Sequence, residues 1–196
     1  LEIGGKTVSI CGIAKGSGMI HPNMATMLSY VVTDAAVSKE ILTDIQKKIT
    51  DTTFNMVTVD GDTSTNDTAT IIANGAAGND IIDKATGSEY SDFYDAVYFV
   101  TETLAKAIAA DGEGATRMME IDLKGAEDQE QARVIARSVA SSNLVKSAIH
   151  GADANWGRVL AAMGYSGKNF DQTKVDVAFS SSNGSIDVFK QGVPLN

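Results

Sequence analysis

Within residues 91–110 the apolar side chains Phe93, Val97, Val100, Leu104 and Ile108 recur at intervals of three and four. That spacing places them on one face of an α-helix about five turns long. A helix striped in this way must bury its apolar face against another layer. The stripe is the ordinary mark of a core-facing helix rather than of a cofactor box, so the chain is committed to a packed, layered domain.

The neighbouring segments supply the other layers. Residues 6–14 are short, apolar and bounded by glycines, and they read as a buried strand. Residues 28–33 read as a second strand. Ser38 offers an N-cap to a helix carrying Ile41, Ile45 and Ile49 on one face. A short strand is expected at 56–59. A helix is expected at 63–77, its first turn rich in Ser, Thr and Asp and its end near Gly75 or Gly78. Met119, Ile121 and Leu123 alternate with Glu120 and Asp122, as in a half-exposed strand. Helices follow at 127–140 and 155–163. Segments 174–180 and 185–190 form a hairpin whose connection includes Asn183-Gly184. The mixture predicts an α/β class, layered α/β or α+β, with antiparallel pairs. There is no internal repeat or low-complexity linker, and 196 residues suffice for one domain or two small ones.

Composition narrows the function. The net charge is −9 and the pI is near 4.6. General nucleic-acid binding requires a basic face, and anionic lipid attracts basic segments, so neither partner is expected. Cys11 is the only cysteine, which rules out a disulfide within the chain. It lies in an apolar run and is expected to pack as a small hydrophobe, which fits a reducing, cytoplasmic setting. No signal peptide and no apolar run long enough to span a bilayer is read in these residues.

Several familiar motifs fail. Gly16-Ser17-Gly18 lacks the third glycine and the following helix of a dinucleotide site, and no phosphate-binding P-loop or zinc-spaced Cys/His cluster occurs. The run from Asp60 to Asp67 departs from a calcium loop. Its sixth position is Thr65 rather than Gly, and its twelfth is Ile71 rather than Glu. It reads instead as a turn whose Asp and Thr side chains cap the helix that follows.

The segment Lys15-Gly-Ser-Gly-Met-Ile-His-Pro-Asn-Met-Ala25-Thr26 offers chemistry. Cleavage of the Ala25–Thr26 bond would give Thr26 a free amine beside its own hydroxyl. One residue would then hold a nucleophile and its base. The same residues are also what a surface loop between two strands requires. Gly16 and Gly18 shape a turn, and Pro22 biases His21 toward an extended form. Local chemistry leaves both readings open. His21 and His150 are the only histidines, and neither is assigned as the base.

Four ordered segments carry a resemblance. They are Lys15–Ile20 with Met24–Leu28, Val59–Thr68, Asp111-Gly-Glu113-Gly-Ala-Thr116, and Gly151-Ala-Asp153-Ala-Asn155-Trp156-Gly-Arg158. Together they resemble the ornithine acetyltransferase family, the glutamate N-acetyltransferases or ArgJ proteins of arginine biosynthesis. Ala154 departs from the proline more usual there. The resemblance implies an α+β layered sandwich with mixed or antiparallel sheets, of the ArgJ- or DmpA-like, N-terminal-nucleophile type. It implies one partial region over residues 1–196, with 1–25 closing an α subunit and 26–196 forming most of a β subunit. A family N-terminal segment and C-terminal end would lie outside it.

The resemblance also implies roles. Ala25 and Thr26 form the cleavage site, and Thr26 is the catalytic nucleophile. Lys15, Thr26 and Glu113 bind substrate. The implied substrates are N-acetylornithine and glutamate, turned over by ping-pong kinetics through an acetyl-Thr26 intermediate. The implied assembly is α2β2. No metal or cofactor is implied, and acetyl-coenzyme A serves as co-substrate if the enzyme is bifunctional. The oxyanion donors are a Thr-Gly pair upstream of this chain, so the chain alone is expected to be poorly active.

Plainer readings stand beside these. Lys15 is a solvated loop charge, and Glu113 is an acidic loop tip. Residues 153–158 hold architecture, with Trp156 buried and Arg158 paired with a carboxylate. Two other functions remain: a self-processing aminopeptidase or amidohydrolase of related fold, and a non-catalytic assembling subunit.

Overall fold

The computed structural model describes residues 1–21, 27–63 and 65–195. They form two compact units, Leu1–Ala115 and Thr116–Asn196.

In the first unit, β1 (Glu2–Ile3) and β2 (Lys6–Thr7) pair antiparallel across a Gly4-Gly5 turn. Both glycines have positive φ, which other residues adopt only with strain. β3 (Ile10–Lys15) then runs antiparallel to β4 (Leu28–Thr33). The helix α1 (Lys39–Thr52) carries the chain to β5 (Thr68–Ala73), which pairs parallel with β4. The sheet is therefore mixed, in the order β3-β4-β5. α2 (Ser88–Ala110) follows.

Both helices pack on one face of this sheet. Ser38 caps α1 by accepting the Ile41 amide at 3.3 Å, and Ile41, Ile45 and Ile49 are buried. Phe93, Val97, Thr101, Ala105 and Ile108 of α2 are buried too. α2 crosses β3 at Gly12, where an added Cβ would lie 2.6 Å from Val100 Cγ1 and 2.8 Å from Leu104 Cδ1. The Gln46 side chain of α1 treats β5 as a strand partner would. Its Nε2 donates to the Ala69 carbonyl, and its Oε1 accepts the Ile71 amide at 2.9 Å. An edge strand whose backbone groups are satisfied in this way offers less for another chain to pair with.

Among the described residues of the first unit, no element packs on the opposite sheet face. In register across the three strands it carries Cys11, Val32 and Ile72, then Ile13, Tyr30 and Thr70, then Lys15, Leu28 and Thr68. Ile13 is 66% exposed and Ile72 is 51% exposed.

The second unit packs three helices beside a small sheet. They are α3 (Gln129–Ser141), α4 (Asn143–His150) and α5 (Trp156–Gly164), capped by Asp128, Ser142 and Asn155. Val139, Val145 and Ala162 form their core. β6 (Val177–Ser181), β7 (Gly184–Lys190) and β8 (Val193–Pro194) form an antiparallel meander. Trp156 stacks on Phe189 with ring centroids 5.0 Å apart. Among the described residues no helix is long and apolar enough to cross a membrane.

The α/β class and the mixed sheet agree with expectation, and several elements differ. Residues 68–73 form a strand, not a helix. The run Thr-Ala-Thr-Ile-Ile-Ala is rich in β-branched residues, and pairing with β4 suits them. Residues 54–56 form a 3₁₀ turn where a strand at 56–59 was expected. Residues 119–123 keep their alternating exposure, yet no strand is formed there, because they have no ladder partner among the described residues. Residues 6–14 do not form one buried strand, and Cys11 is exposed, because among the described residues only one face of β3 is covered. Trp156 is half-buried rather than buried. Arg158 donates to the Leu144 carbonyl at 2.8 Å and to Ser147 Oγ at 2.9 Å, neither of them a carboxylate.

Candidate functional site

The register of β3 and β4 fixes where the candidate segment begins and ends. Lys15 is the last residue of β3 and stands opposite Leu28, the first of β4. The connection between them holds the Gly16–Gly18 turn, His21 and Met27. Ala25 and Thr26 lie outside the described residues, as do Pro22, Asn23 and Met24.

Three stretches of the first unit meet here. The first is residues 15–21, the second is 57–63 with 65–68, and the third is the loop after α2. Glu113 in that third loop donates its amide to the Ser17 carbonyl at 2.9 Å. Ser17 Oγ donates to the Asp111 carbonyl at 3.0 Å. The Glu113 carboxylate lies directly over Gly18, where a Cβ would stand 2.5 Å from Oε2. Gly112 is pressed against the second stretch in the same way, 2.8 Å from Val59 Cγ1 to an added Cβ. The structure thus brings Glu113 together with the glycine turn that follows Lys15. Lys15 itself is exposed, on the sheet face opposite the helices, level with Leu28 and Thr68.

The second stretch holds the first from the other side. Asp60 accepts the amides of Met19 at 2.5 Å, Ile20 at 3.1 Å and Asp62 at 3.0 Å. Burial pushes its carboxyl up, but those amide hydrogen bonds outweigh it and hold Asp60 below the ordinary carboxyl value of 3.8. Met19 has a φ of 58°, which a side chain other than glycine tolerates only when its surroundings enforce it. The Asp60 hydrogen bond is such a constraint. The Val59 amide donates to the Ile20 carbonyl at 2.6 Å. Thr63 Oγ1 donates to the His21 carbonyl at 3.2 Å, and His21 Nδ1 lies 2.9 Å from Thr58 Oγ1.

Met27, on the far side of residues 22–26, is held as firmly. Its amide donates to Asp67 Oδ1, and its carbonyl accepts the Thr68 amide at 2.8 Å. Burial pushes the Asp67 carboxyl up, and the Met27 hydrogen bond offsets that only in part. Ile20 and Met27 are both buried, in a core cluster with Phe54, Ala105 and Ile108. The backbone on each side of residues 22–26 is therefore anchored to core and carboxylate alike.

Sequence reasoning missed the parts played by Asp60 and Asp67. Their acidic run was legible as a source of capping side chains. Besides the local Asp62 amide, the amides they accept belong to Met19, Ile20 and Met27, some forty positions earlier, and not to a following helix. That distance in sequence is why local pattern could not find them. His150, read as structural or exposed, is exposed and pairs through Nδ1 with Thr116 Oγ1 at 3.0 Å in the second unit.

Comparison with known proteins identifies the family and the fold. The ArgJ family model matches residues 1–196. The chain is 53% identical over 192 residues to the arginine biosynthesis bifunctional protein ArgJ of Thermotoga neapolitana, covering 98% of this chain and 48% of that protein. It is 54% identical over 195 residues to the protein of the same name from Symbiobacterium thermophilum, covering 100% of this chain and 47% of that one. A crystal structure of the arginine biosynthesis bifunctional protein argJ of Bacillus halodurans superposes with a TM-score of 0.81 at 43% identity, covering 87% of this chain and 78% of that one. The chain spans about half the length of the curated relatives it matches. A family model matching from end to end, joined to a shared fold, places this chain in the ArgJ family.

Proposed function

We propose that this chain is the part of a self-processing acetyltransferase of arginine biosynthesis that carries the nucleophile Thr26. One observation supports the reading above others. The carboxylate of Glu113 is seated on the glycine turn that leads from Lys15 toward Thr26. A charge at that place is what recognition of an amino-acid substrate needs. The relatives' shared name, an arginine biosynthesis bifunctional protein, points to the same pathway.

The chemistry runs in two stages. First, Thr26 Oγ attacks the Ala25 carbonyl carbon, and the Ala25–Thr26 C–N bond breaks. The hydroxyl proton passes to the departing nitrogen, which becomes the free α-amine. Water hydrolyses the resulting ester and leaves Ala25 with a new carboxylate. Second, Thr26 Oγ attacks the acetyl carbonyl of N-acetylornithine, and the Thr26 α-amine takes the hydroxyl proton. That proton returns to the ornithine nitrogen as the C–N bond breaks. Glutamate's amine then attacks the acetyl-threonine ester, giving N-acetylglutamate and restoring the hydroxyl.

Proton transfer of this kind contributes about 10²–10⁴-fold. Lys15 and Glu113 hold the charged ends of the substrates, which removes part of the entropic barrier. The word bifunctional in the relatives' name supports acetyl-coenzyme A as a second donor. The mature assembly is α2β2, in the cytoplasm.

The test is acyl trapping with the full-length protein. With N-acetylornithine alone, the fragment beginning at Thr26 gains an acetyl mass. Adding glutamate removes it and yields N-acetylglutamate. Steady release of acetate without glutamate would instead mark a hydrolase, and the absence of any acyl-enzyme would mark a non-catalytic subunit.

A further inference from the structure

Asp67 does more than its place before β5 requires. Its Oδ1 accepts the amide of Met27, the residue that follows Thr26. The next residue, Thr68, donates its own amide to the Met27 carbonyl at 2.8 Å. Two consecutive residues thus grip both polar backbone groups of Met27. The Met27 side chain is 2% exposed, so packing holds what the hydrogen bonds orient. The Thr68–Met27 bond extends the parallel β4–β5 ladder by one step and needs no aspartate. The Asp67 bond is additional to that ladder.

The carboxylate is also costly where it stands. Its Oδ2 is buried and has no hydrogen-bond partner among the described residues. A buried acceptor left unsatisfied destabilises a fold. A small polar residue would end the turn with less penalty. Strand formation alone gives no reason for this carboxylate, whereas fixing the Met27 amide does.

We infer that Asp67 is a positioning residue for Thr26: by holding the Met27 amide it sets the backbone from which the nucleophile is presented. A peptide unit is planar, so fixing an amide N–H restricts the residue that precedes it in any chain. The inference rests on Thr26 being the nucleophile. It adds that presentation of Thr26 depends on a carboxylate 41 positions later in the chain.

The experiment uses the full-length protein with three substitutions, Asp67→Ala, Asp67→Asn and Thr26→Ala. Each is assayed for self-cleavage rate, for kcat and KM of acetyl transfer, and for Tm. Asp67→Ala is expected to slow cleavage and to lower kcat by about 10²-fold, the scale of an ångström-sized misplacement, with KM unchanged because Lys15 and Glu113 are untouched. Asp67→Asn keeps an oxygen for the Met27 amide and restores most of both rates. A merely structural Asp67 would lower Tm and move KM together with kcat in Asp67→Ala. That pattern overturns the inference, as do wild-type rates in Asp67→Ala. Thr26→Ala separates the two levels. If it cleaves and transfers normally, the proposed nucleophile is wrong. If it is dead while Asp67→Ala is normal, only the positioning role falls.

Discussion

At the residue scale, Gly18 has less room for a side chain than Gly16 or Gly112 in the candidate site. A methyl group at position 18 would sit 2.5 Å from Glu113 Oε2. The side chain can swing away, so the fold should survive while the carboxylate leaves its place. Gly18→Ala in the full-length enzyme is expected to raise KM for the amino-acid substrate about tenfold, the loss of one hydrogen bond to a charged group, with Tm almost unchanged. A fall in kcat at constant KM would instead take Glu113 out of substrate binding.

Asp60 makes a separate prediction in pH. Its folded-state value lies below 3.8, so its contribution to stability is complete above that value and is lost as pH falls toward the folded value. Asp60→Asn should flatten the acid side of the Tm-against-pH curve below about pH 4. An unchanged acid limb would show that the three amides donate no better to a carboxylate than to a neutral amide.

At the element scale, the meeting of α2 with β3 decides how the first unit holds together. Val100 and Leu104 close over Gly12 with no room for a Cβ. Gly12→Ala is expected to cost about 1–3 kcal/mol, the usual penalty for overpacking, measured as a shift in chemical denaturation midpoint. A neutral result would mean that α2 can lift from β3 freely. The helix behind this prediction was legible from its stripe alone, and α1 was legible from Ser38 and three isoleucines. β5 was not. Its run of Thr and Ile fits a helix window by length and by the capping residues before it. Only pairing with β4, a contact distant in sequence, reveals a strand. Cys11 was misread for a related reason. An apolar run of strand length does not say whether one face or two will be covered. The glycine turn and Glu113 were legible as separate motifs, whereas the contact between them required the fold.

At the scale of the whole molecule, the first unit holds the candidate site, including Lys15, Glu113, Asp60 and Asp67. The second unit carries the Asp153–Arg158 segment as helix architecture, with Asn155 capping α5 and Trp156 stacked on Phe189. The chain covers about half the length of its curated relatives, so the proposed activity is to be measured on the full-length protein. Intact mass of the full-length wild-type protein, set beside Thr26→Ala, tests the central claim most directly. The account predicts two fragments in the wild type, the second beginning at Thr26, and a single uncut chain in the variant. A fully active wild-type enzyme with the Ala25–Thr26 bond intact would contradict it.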